Sequence, residues 1–283
     1  MKNYSNDTER DIQEKSKKNY LKLLAILQSF LEDFFDNPYS YITQYELMQG
    51  RALDVLNFAF SGYGLNLEYV VNRINDQNIS YLSPDEIAER MMILNVIDNL
   101  INFSVCEEYH ALNQIRIASN SYDEYGDDFE EEAEDIFEMF NYRFSTTENS
   151  DVYYAMAVAS EWNRFDSLTS LTYTTQGDER VRDSHRALEG LTYLKRDFPE
   201  ALIPPIDFRC RCYLVESSDN LASRNNPDDA YDRINNAVNP IFATTAAKSG
   251  RIFGMDHPYF QVQSKHYDEL KNVVSVIKTS IGI

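Results

Sequence analysis

Helical periodicity over the first 165 residues constrains the fold more than any other feature of the sequence. The clearest start signal is SPDE, Ser83 to Glu86, in which a capping serine precedes a proline at the first helical position and a glutamate at the third. We expect this helix to continue to about residue 117. Apolar residues spaced three and four apart predict further helices over 8–36, 42–60 and 150–165. The N-terminal part is therefore predicted to be mainly helical.

The pattern changes after residue 165. The stretch LTSLTYTT, Leu168 to Thr175, is rich in β-branched and aromatic residues, which favour strands. Downstream, FRCRCYLVE alternates, and this predicts a strand with Cys210, Cys212 and Leu214 on one face. We therefore predict an α+β protein in which a mainly helical N-terminal part, 1–145, is followed by a smaller mixed α/β C-terminal domain, 146–283.

The chain is strongly acidic, with 46 Asp and Glu residues against 26 Lys and Arg residues and a net charge of −20. Phosphate binding needs clustered basic side chains, so the net charge argues against a protein whose bulk lies on nucleic acid, although it leaves room for a local basic face. Three cysteines are too few for the disulfide framework of a secreted protein. The polar N-terminus lacks the apolar region of a signal peptide, and no run has the apolar length of a membrane span. We expect synthesis in a reducing cytosol and no membrane partner.

Ten of the sixteen residues from Asp123 to Glu138 are acidic. Apolar residues keep helical spacing inside this run, among them Phe129, Ala133 and Phe137. We interpret the run as a solvated loop that leads into a helix with one buried face. The alternative is an acidic docking segment for a basic partner.

A second polar segment, GDERVRDSHRALEG, holds six ionisable groups within eight positions: Asp178, Glu179, Arg180, Arg182, Asp183 and His185. Leu171 to Val215 contains seven basic and seven acidic residues, so the region is locally neutral. This balance favours a network in which arginines bridge carboxylates and backbone carbonyls. A catalytic alternative makes His185 a general acid or base with Asp178 or Glu179 as its partner. That alternative lacks a nucleophile, because Ser184 adjoins His185 in sequence and is poorly placed to hydrogen-bond with it.

The cysteines raise the question of a metal. A zinc site would combine Cys210 and Cys212 with His185 and a carboxylate such as Asp178. A single Cys-x-Cys pair is a weak metal signal, so buried thiols that pack as small apolar groups are favoured. A disulfide between the two is disfavoured, because same-face positions two apart on a strand bridge poorly.

The remaining cysteine lies on the long predicted helix. Cys106 and His110 are four residues apart and share a face of this helix. We interpret the pair as a core residue and its neighbour at the rim rather than as metal ligands.

Several of these elements together resemble a known family. TYTTQGDERVRDSHRALEG, the following Pro204-Pro205 pair and FRCRC are similar to the conserved core of the phage Mu protein F-like family. Upstream, FNYRFSTTENSDVYYAMAVASEWNRF also resembles the family, and AAKSGRIFGMDHPYF resembles the ending of some members. The resemblance covers about residues 140–260, and Tyr173 stands where a tryptophan is common.

The resemblance implies a minor head protein of a tailed bacteriophage or prophage that associates with the portal and acts in head assembly, DNA packaging or ejection. Residues 1–145 would then dock onto the portal or capsid, and 146–283 would form the Mu F-like head morphogenesis domain. Major capsid or scaffold proteins are further expected partners, whereas the acidity of the chain argues against direct DNA contact. The expected location is the virion, inside the head near the portal, after synthesis in the bacterial host cytoplasm. Too few residues follow HPYF for the toxin or nuclease domain of some members, so none is expected.

On this interpretation the polar residues form a structural motif, no residue is catalytic, and no cofactor or metal is expected. The motif consists of Asp178, Glu179, Arg180, Arg182, His185, Gly190, Cys210, Arg211 and Cys212. One alternative is a nuclease or transferase that uses His185 with Arg180, Arg182 and His257. The other is a binding module stabilised by zinc at Cys210, Cys212 and His185.

Overall fold

The fold is α+β, as predicted, with a helical N-terminal part and a small antiparallel sheet in the C-terminal half. A computed structural model describes residues 6–76, 79–123, 125–217 and 231–283. The helices of the N-terminal part are α1 (Asn6–Glu32), α2 (Tyr41–Tyr63), α3 (Leu67–Asn75), α4 (Pro84–Ala118), α5 (Asp127–Glu138) and α6 (Ser145–Trp162). A π-helical segment, Met139–Phe144, joins α5 to α6 without a break. The C-terminal half contains β1 (Ser170–Thr174), α7 (Asp183–Arg186), β2 (Thr192–Leu194), β3 (Tyr213–Glu216), α8 (Tyr231–Ala237), α9 (Ala246–Ser249) and α10 (Tyr267–Ser280).

Local capping chemistry explains where α4 begins. The Ser83 hydroxyl accepts a hydrogen bond from the Glu86 backbone N–H at 3.3 Å, and the Glu86 carboxylate accepts one from the Ser83 N–H at 2.8 Å. This reciprocal capping box confirms the start signal, and α4 ends one residue beyond the predicted end. Helix α1 ends earlier than predicted, at Glu32, and 33–36 form turns before Pro38. Helix α3 was not predicted, because its nine residues are too short for a clear periodic pattern.

The sheet has three strands in the order β2-β1-β3, and both pairings are antiparallel. In the central strand, Thr172 lies opposite Thr192 of β2 and Val215 of β3. Strand β2 was not predicted, because three residues carry too little alternation to be recognised.

The predicted strand over FRCRCYLVE is wrong in its first half, because β3 begins only at Tyr213. Arg209 has a φ of +56°, which lies outside the extended region, and the Cys210 N–H closes a turn onto the Asp207 carbonyl at 3.1 Å. Burial nevertheless alternates as predicted, with Cys210 and Cys212 inside. The segment is thus a turn that leads both thiols into the interior.

The chain forms two compact units that are discontinuous in sequence. Unit 1 comprises Met1–Phe58, Leu100–Ser150 and Pro258–Ile283, and unit 2 comprises Ala59–Asn99 and Asp151–His257. This division is spatial, and the functional division between residues 145 and 146 stays a prediction.

The acidic run belongs to unit 1 and is ordered as helix α5 over most of its length. Phe129, Ala133 and Phe137 are buried in an apolar cluster with Leu27 and Phe30 of α1. The acidic side chains occupy the remaining faces of the helix, and several of them are exposed. This confirms the interpretation of the run as a solvated loop that leads into a helix with one buried face.

Unit 1 also contains a buried ion cluster around Arg51, which is 1% exposed. Its Nε donates to Glu107 at 2.7 Å, its Nη2 to Glu148 at 2.9 Å and its Nη1 to Asn149 at 2.9 Å. Glu107, Glu148 and Asn149 are themselves buried. One guanidinium therefore neutralises charge contributed by two helices, α4 and α6.

The carboxyl groups around Arg51 outnumber the one positive charge. Burial raises the pKa of Glu108 from 4.5 to about 8, against the attraction of Arg51. Burial likewise raises the pKa of Asp54 from 3.8 to about 7, again against Arg51. The cluster therefore takes up protons more readily than the unfolded chain does.

Replacing Arg51 with methionine should destabilise the protein by about 3–5 kcal/mol, because it leaves buried carboxylates without their counter-charge. The free energy of unfolding from urea titration measures this loss. The control is Arg10→Met, which removes the same charge from an exposed pair with Asp7 and should change stability by less than about 0.5 kcal/mol. Equal effects of the two substitutions would contradict the role of Arg51.

The raised pKa of Glu108 predicts a stability that depends on pH. The folded chain holds this proton more tightly than the unfolded chain, so the stabilisation is complete below pH 4.5 and is lost as the pH rises towards about 8. As the pH rises from about 5 to about 8, the melting temperature of Glu108→Gln should therefore fall less than that of the wild type. Glu131→Gln, on the exposed face of α5, should keep the wild-type slope. If the melting temperature of Glu108→Gln fell with pH as steeply as that of the wild type, protonation of Glu108 would not be the cause.

Candidate functional site

The structure brings His185 of α7 together with Cys210 and Cys212, which precede β3. The His185 Nδ1 atom lies 3.7 Å from each cysteine sulfur. The three potential ligand atoms all lie within 4.8 Å of one another. The three residues are 2–3% exposed, so the cluster is closed to solvent.

An arginine–carboxylate pair connects the two sequence segments that form this cluster. Nη2 of Arg211 lies 2.9 and 2.8 Å from the two carboxylate oxygens of Asp178. The Arg211 carbonyl accepts a hydrogen bond from Gln176 at 2.9 Å, and the Asp178 carbonyl accepts one from Arg186 at 2.8 Å. The Arg211 backbone is thus bonded to the opposite segment, and the Asp178 backbone is bonded to Arg186 of α7.

A second arginine fixes the turn that carries the cysteines. Arg182 donates to the Phe208 carbonyl at 2.8 Å and lies 3.4 Å from the Asp207 carboxylate. The Arg209 N–H donates to the Asp151 carboxylate at 2.6 Å, which supports the left-handed conformation of Arg209. The turn is therefore held by charged side chains at both ends.

The two thiols differ in their affinity for protons. Burial opposes ionisation of Cys210, but hydrogen bonding to Cys212 and His185 outweighs it and holds the pKa of this thiol well below its usual value. Hydrogen bonding to Cys210, followed by burial, raises the pKa of Cys212. Burial, followed by the two cysteines, raises the pKa of Tyr173.

The other residues of the predicted motif lie at its margin. Glu179 and Arg180 are exposed, and the Arg180 N–H donates to the Asp178 carboxylate at 3.1 Å. Gly190 has a φ of +84°, a conformation that glycine adopts without strain, and its N–H donates to the Tyr173 carbonyl at 3.0 Å. These residues shape the loops around β1.

The arrangement does not provide the acid–base pair that the enzyme alternative requires. Asp178 bonds to Arg211, whereas His185 faces two sulfur atoms and is 2% exposed. His257, the other candidate, packs against the rings of Phe208 and Phe253. A thiol next to an imidazole does supply the nucleophile missing from the sequence, but burial denies it a substrate.

The carboxylate proposed from the sequence as a metal ligand is also absent from the cluster. Within the described part of the chain, the group consists of His185, Cys210 and Cys212 only, and Asp178 is bonded to Arg211 instead. Cys106 and His110 are not part of it. Burial raises the pKa of Cys106 to about 12, and His110 interacts with the Tyr259 carbonyl at 3.0 Å.

Two contributors were missed from the sequence. Tyr173 was noted only as a departure from the family pattern, although the alternation of LTSLTYTT places it on the same face as the buried Leu171. Asp151 supports Arg209 across 58 positions of sequence, and no local pattern signals such a contact.

Comparison with known families confirms the resemblance. Residues 124–215 match the family model described as Phage Mu protein F like protein. The matched segment includes His185 and both cysteines of the cluster, and it supports a phage Mu protein F-like protein. The match suggests a phage head morphogenesis protein.

The chain is also similar to an uncharacterised protein of Methanocaldococcus jannaschii. The two are 38% identical over 72 residues, which cover 23% of this chain and 12% of the archaeal protein. No solved structure matches the chain. In the parts of the chain that the structure describes, no helix combines the length and apolar character required to cross a membrane.

Asp178→Asn should lower the free energy of unfolding by about 1–2 kcal/mol, because it leaves a buried guanidinium without its charged partner. The Arg211 side chain is 9% exposed, whereas Asp178 is 40% exposed, so the effect is smaller than for a fully buried pair. The matched control is Glu179→Gln, which removes the same charge from the exposed neighbouring residue and should cost less than about 0.5 kcal/mol. If both variants unfold at the same urea concentration, the pair does not stabilise the segment.

Proposed function

We propose that the protein is a minor head protein of a tailed bacteriophage or prophage that binds the portal protein and enters the head during assembly. The observation that carries this proposal is the family match over residues 124–215, which spans the complete network from Asp178 to Cys212. From the portal vertex, the protein would act in DNA packaging or ejection. It would lie inside the head after synthesis in the bacterial host cytoplasm.

The chemistry of the polar network supports an architectural role. Its two best-placed arginines are bonded to the protein itself, Arg182 to the Phe208 carbonyl and Arg211 to Asp178. Arginine side chains that already hydrogen-bond within the protein are not free to bind a substrate. The imidazole of His185 is buried, so a substrate cannot reach it. We therefore favour assembly over the enzyme alternative, because the one thiol–imidazole contact that could serve an enzyme is buried.

Charge supports a protein partner rather than DNA. The net charge of −20 opposes direct contact with a polyphosphate, so portal, major capsid or scaffold proteins are the proposed partners. Helix α5 carries Asp128, Glu131 and Asp135 on one exposed face, at spacings of three and four residues. This face belongs to the docking region proposed over 1–145 and would meet a basic surface of the portal or capsid.

The full-length chain should co-elute with the portal protein of the same phage genome and should be detected in purified heads by mass spectrometry. The triple variant Asp128→Asn, Glu131→Gln, Asp135→Asn should weaken portal binding, more so at low salt, because it removes charge from the proposed docking face. The control Asp11→Asn, Glu14→Gln, Glu32→Gln removes three charges from exposed positions on α1 and should bind normally.

Two results would overturn this proposal. A full-length chain that neither binds the portal protein nor occurs in heads cannot be a portal-associated head component. Equal weakening by both triple variants would show that net charge, and not the α5 face, governs the encounter.

A further inference from the structure

We propose that His185, Cys210 and Cys212 bind a zinc ion that stabilises unit 2. This inference goes beyond the head-assembly role and does not depend on it. The sequence alone favoured buried thiols, because a single Cys-x-Cys pair is a weak signal. The geometry of the three side chains reverses that preference.

The first argument is the spacing of the ligand atoms. Zinc binds sulfur at about 2.3 Å and imidazole nitrogen at about 2.0–2.1 Å, so neighbouring sulfur and nitrogen ligands of a tetrahedral ion lie about 3.6 Å apart. The His185 Nδ1 atom lies 3.7 Å from the sulfur of Cys210 and 3.7 Å from that of Cys212. Two independent distances thus equal, within about 0.1 Å, the edge of a zinc tetrahedron.

The second argument is the chemistry of the donor set. Two thiolates and one imidazole are soft ligands, which zinc accepts and which calcium and magnesium do not. The carboxylate of Asp178, which the sequence offered as a hard ligand, is bonded to Arg211. Tyr173 is buried and its hydroxyl has no hydrogen-bond partner among the described residues, so its oxygen or a solvent oxygen would complete the four ligands.

The third argument is the unmet bonding of His185. Its Nε2 atom is buried and has no hydrogen-bond partner in the described structure, and its Nδ1 atom contacts only the two sulfur atoms. Burying an imidazole with so few partners is costly, and such groups call for an explanation. A metal–nitrogen bond at Nδ1 would replace two long sulfur contacts with one strong bond, and so would offset part of the cost of burying the ring.

The surroundings hold the three ligands in place. Arg182 bonds the turn before Cys210 to the segment before α7, and Arg211 lies between the two cysteines and is bonded to Asp178. Supporting contacts of this kind orient the ligands of metal sites. Because all three ligands are buried, the proposed site is structural and not catalytic.

The test measures zinc in the full-length protein, purified without a histidine tag and without chelators. We expect about one zinc ion per chain, and cobalt exchanged into the protein should give a thiolate-to-cobalt charge-transfer band. A chelator should lower the melting temperature of the wild type. These measurements do not depend on the folding of any variant.

Cys210→Ser and Cys212→Ser should lose the zinc and, if they fold, should no longer respond to the chelator. Cys106→Ser changes a thiol of the other unit and should keep both the metal and the response. The proposal is overturned if the wild type, grown with added zinc and titrated with zinc and with cobalt, binds neither ion. It is also overturned if Cys106→Ser loses zinc to the same extent as Cys210→Ser.

Discussion

The bond between the Arg182 side chain and the Phe208 backbone carbonyl is the constraint on which the C-terminal half depends. It attaches a turn with left-handed geometry at Arg209 to the segment before α7, and Arg211 with Asp178 closes the same connection from the other end. Only with the turn in this position do Cys210 and Cys212 meet His185. Arg182, Arg211 and Asp178, which resemble catalytic residues in the sequence, therefore hold separate segments of the chain together.

Unit 1 uses the same residue type in a different setting. Arg51 is fully surrounded by protein and holds Glu107 and Glu148, whereas the arginines of the motif lie at a loop surface or close to it. A planar guanidinium can donate to several groups at fixed angles, and a compact ammonium cannot do this as well. In a chain with 46 acidic residues, such a fixed cationic centre allows Glu107 and Glu148 to be buried as an ion cluster.

Local sequence patterns identified the helices and helix faces that are determined by residues close to one another in sequence. The capping box located α4, and apolar spacing located the buried face of α5. The strand predicted at the cysteines failed because a turn held by distant partners, Asp151 among them, overrides alternation. The candidate cluster was recognisable from unusual residue types, but the Arg51 centre was not, because its partners lie 56 and 97 positions away.

The π-helical segment Met139–Phe144 determines which face of α6 turns inward. A π turn accommodates one residue more than an α turn, so the extra residue is absorbed there and the flanking helices keep their phase. If the same residues were wound as a regular α-helix, α6 would rotate by about 100° relative to α5. Glu148 and Asn149 would then turn away from Arg51, although no residue in the cluster had been altered. The widened turn is thus as necessary to the buried ion pair as the charges themselves.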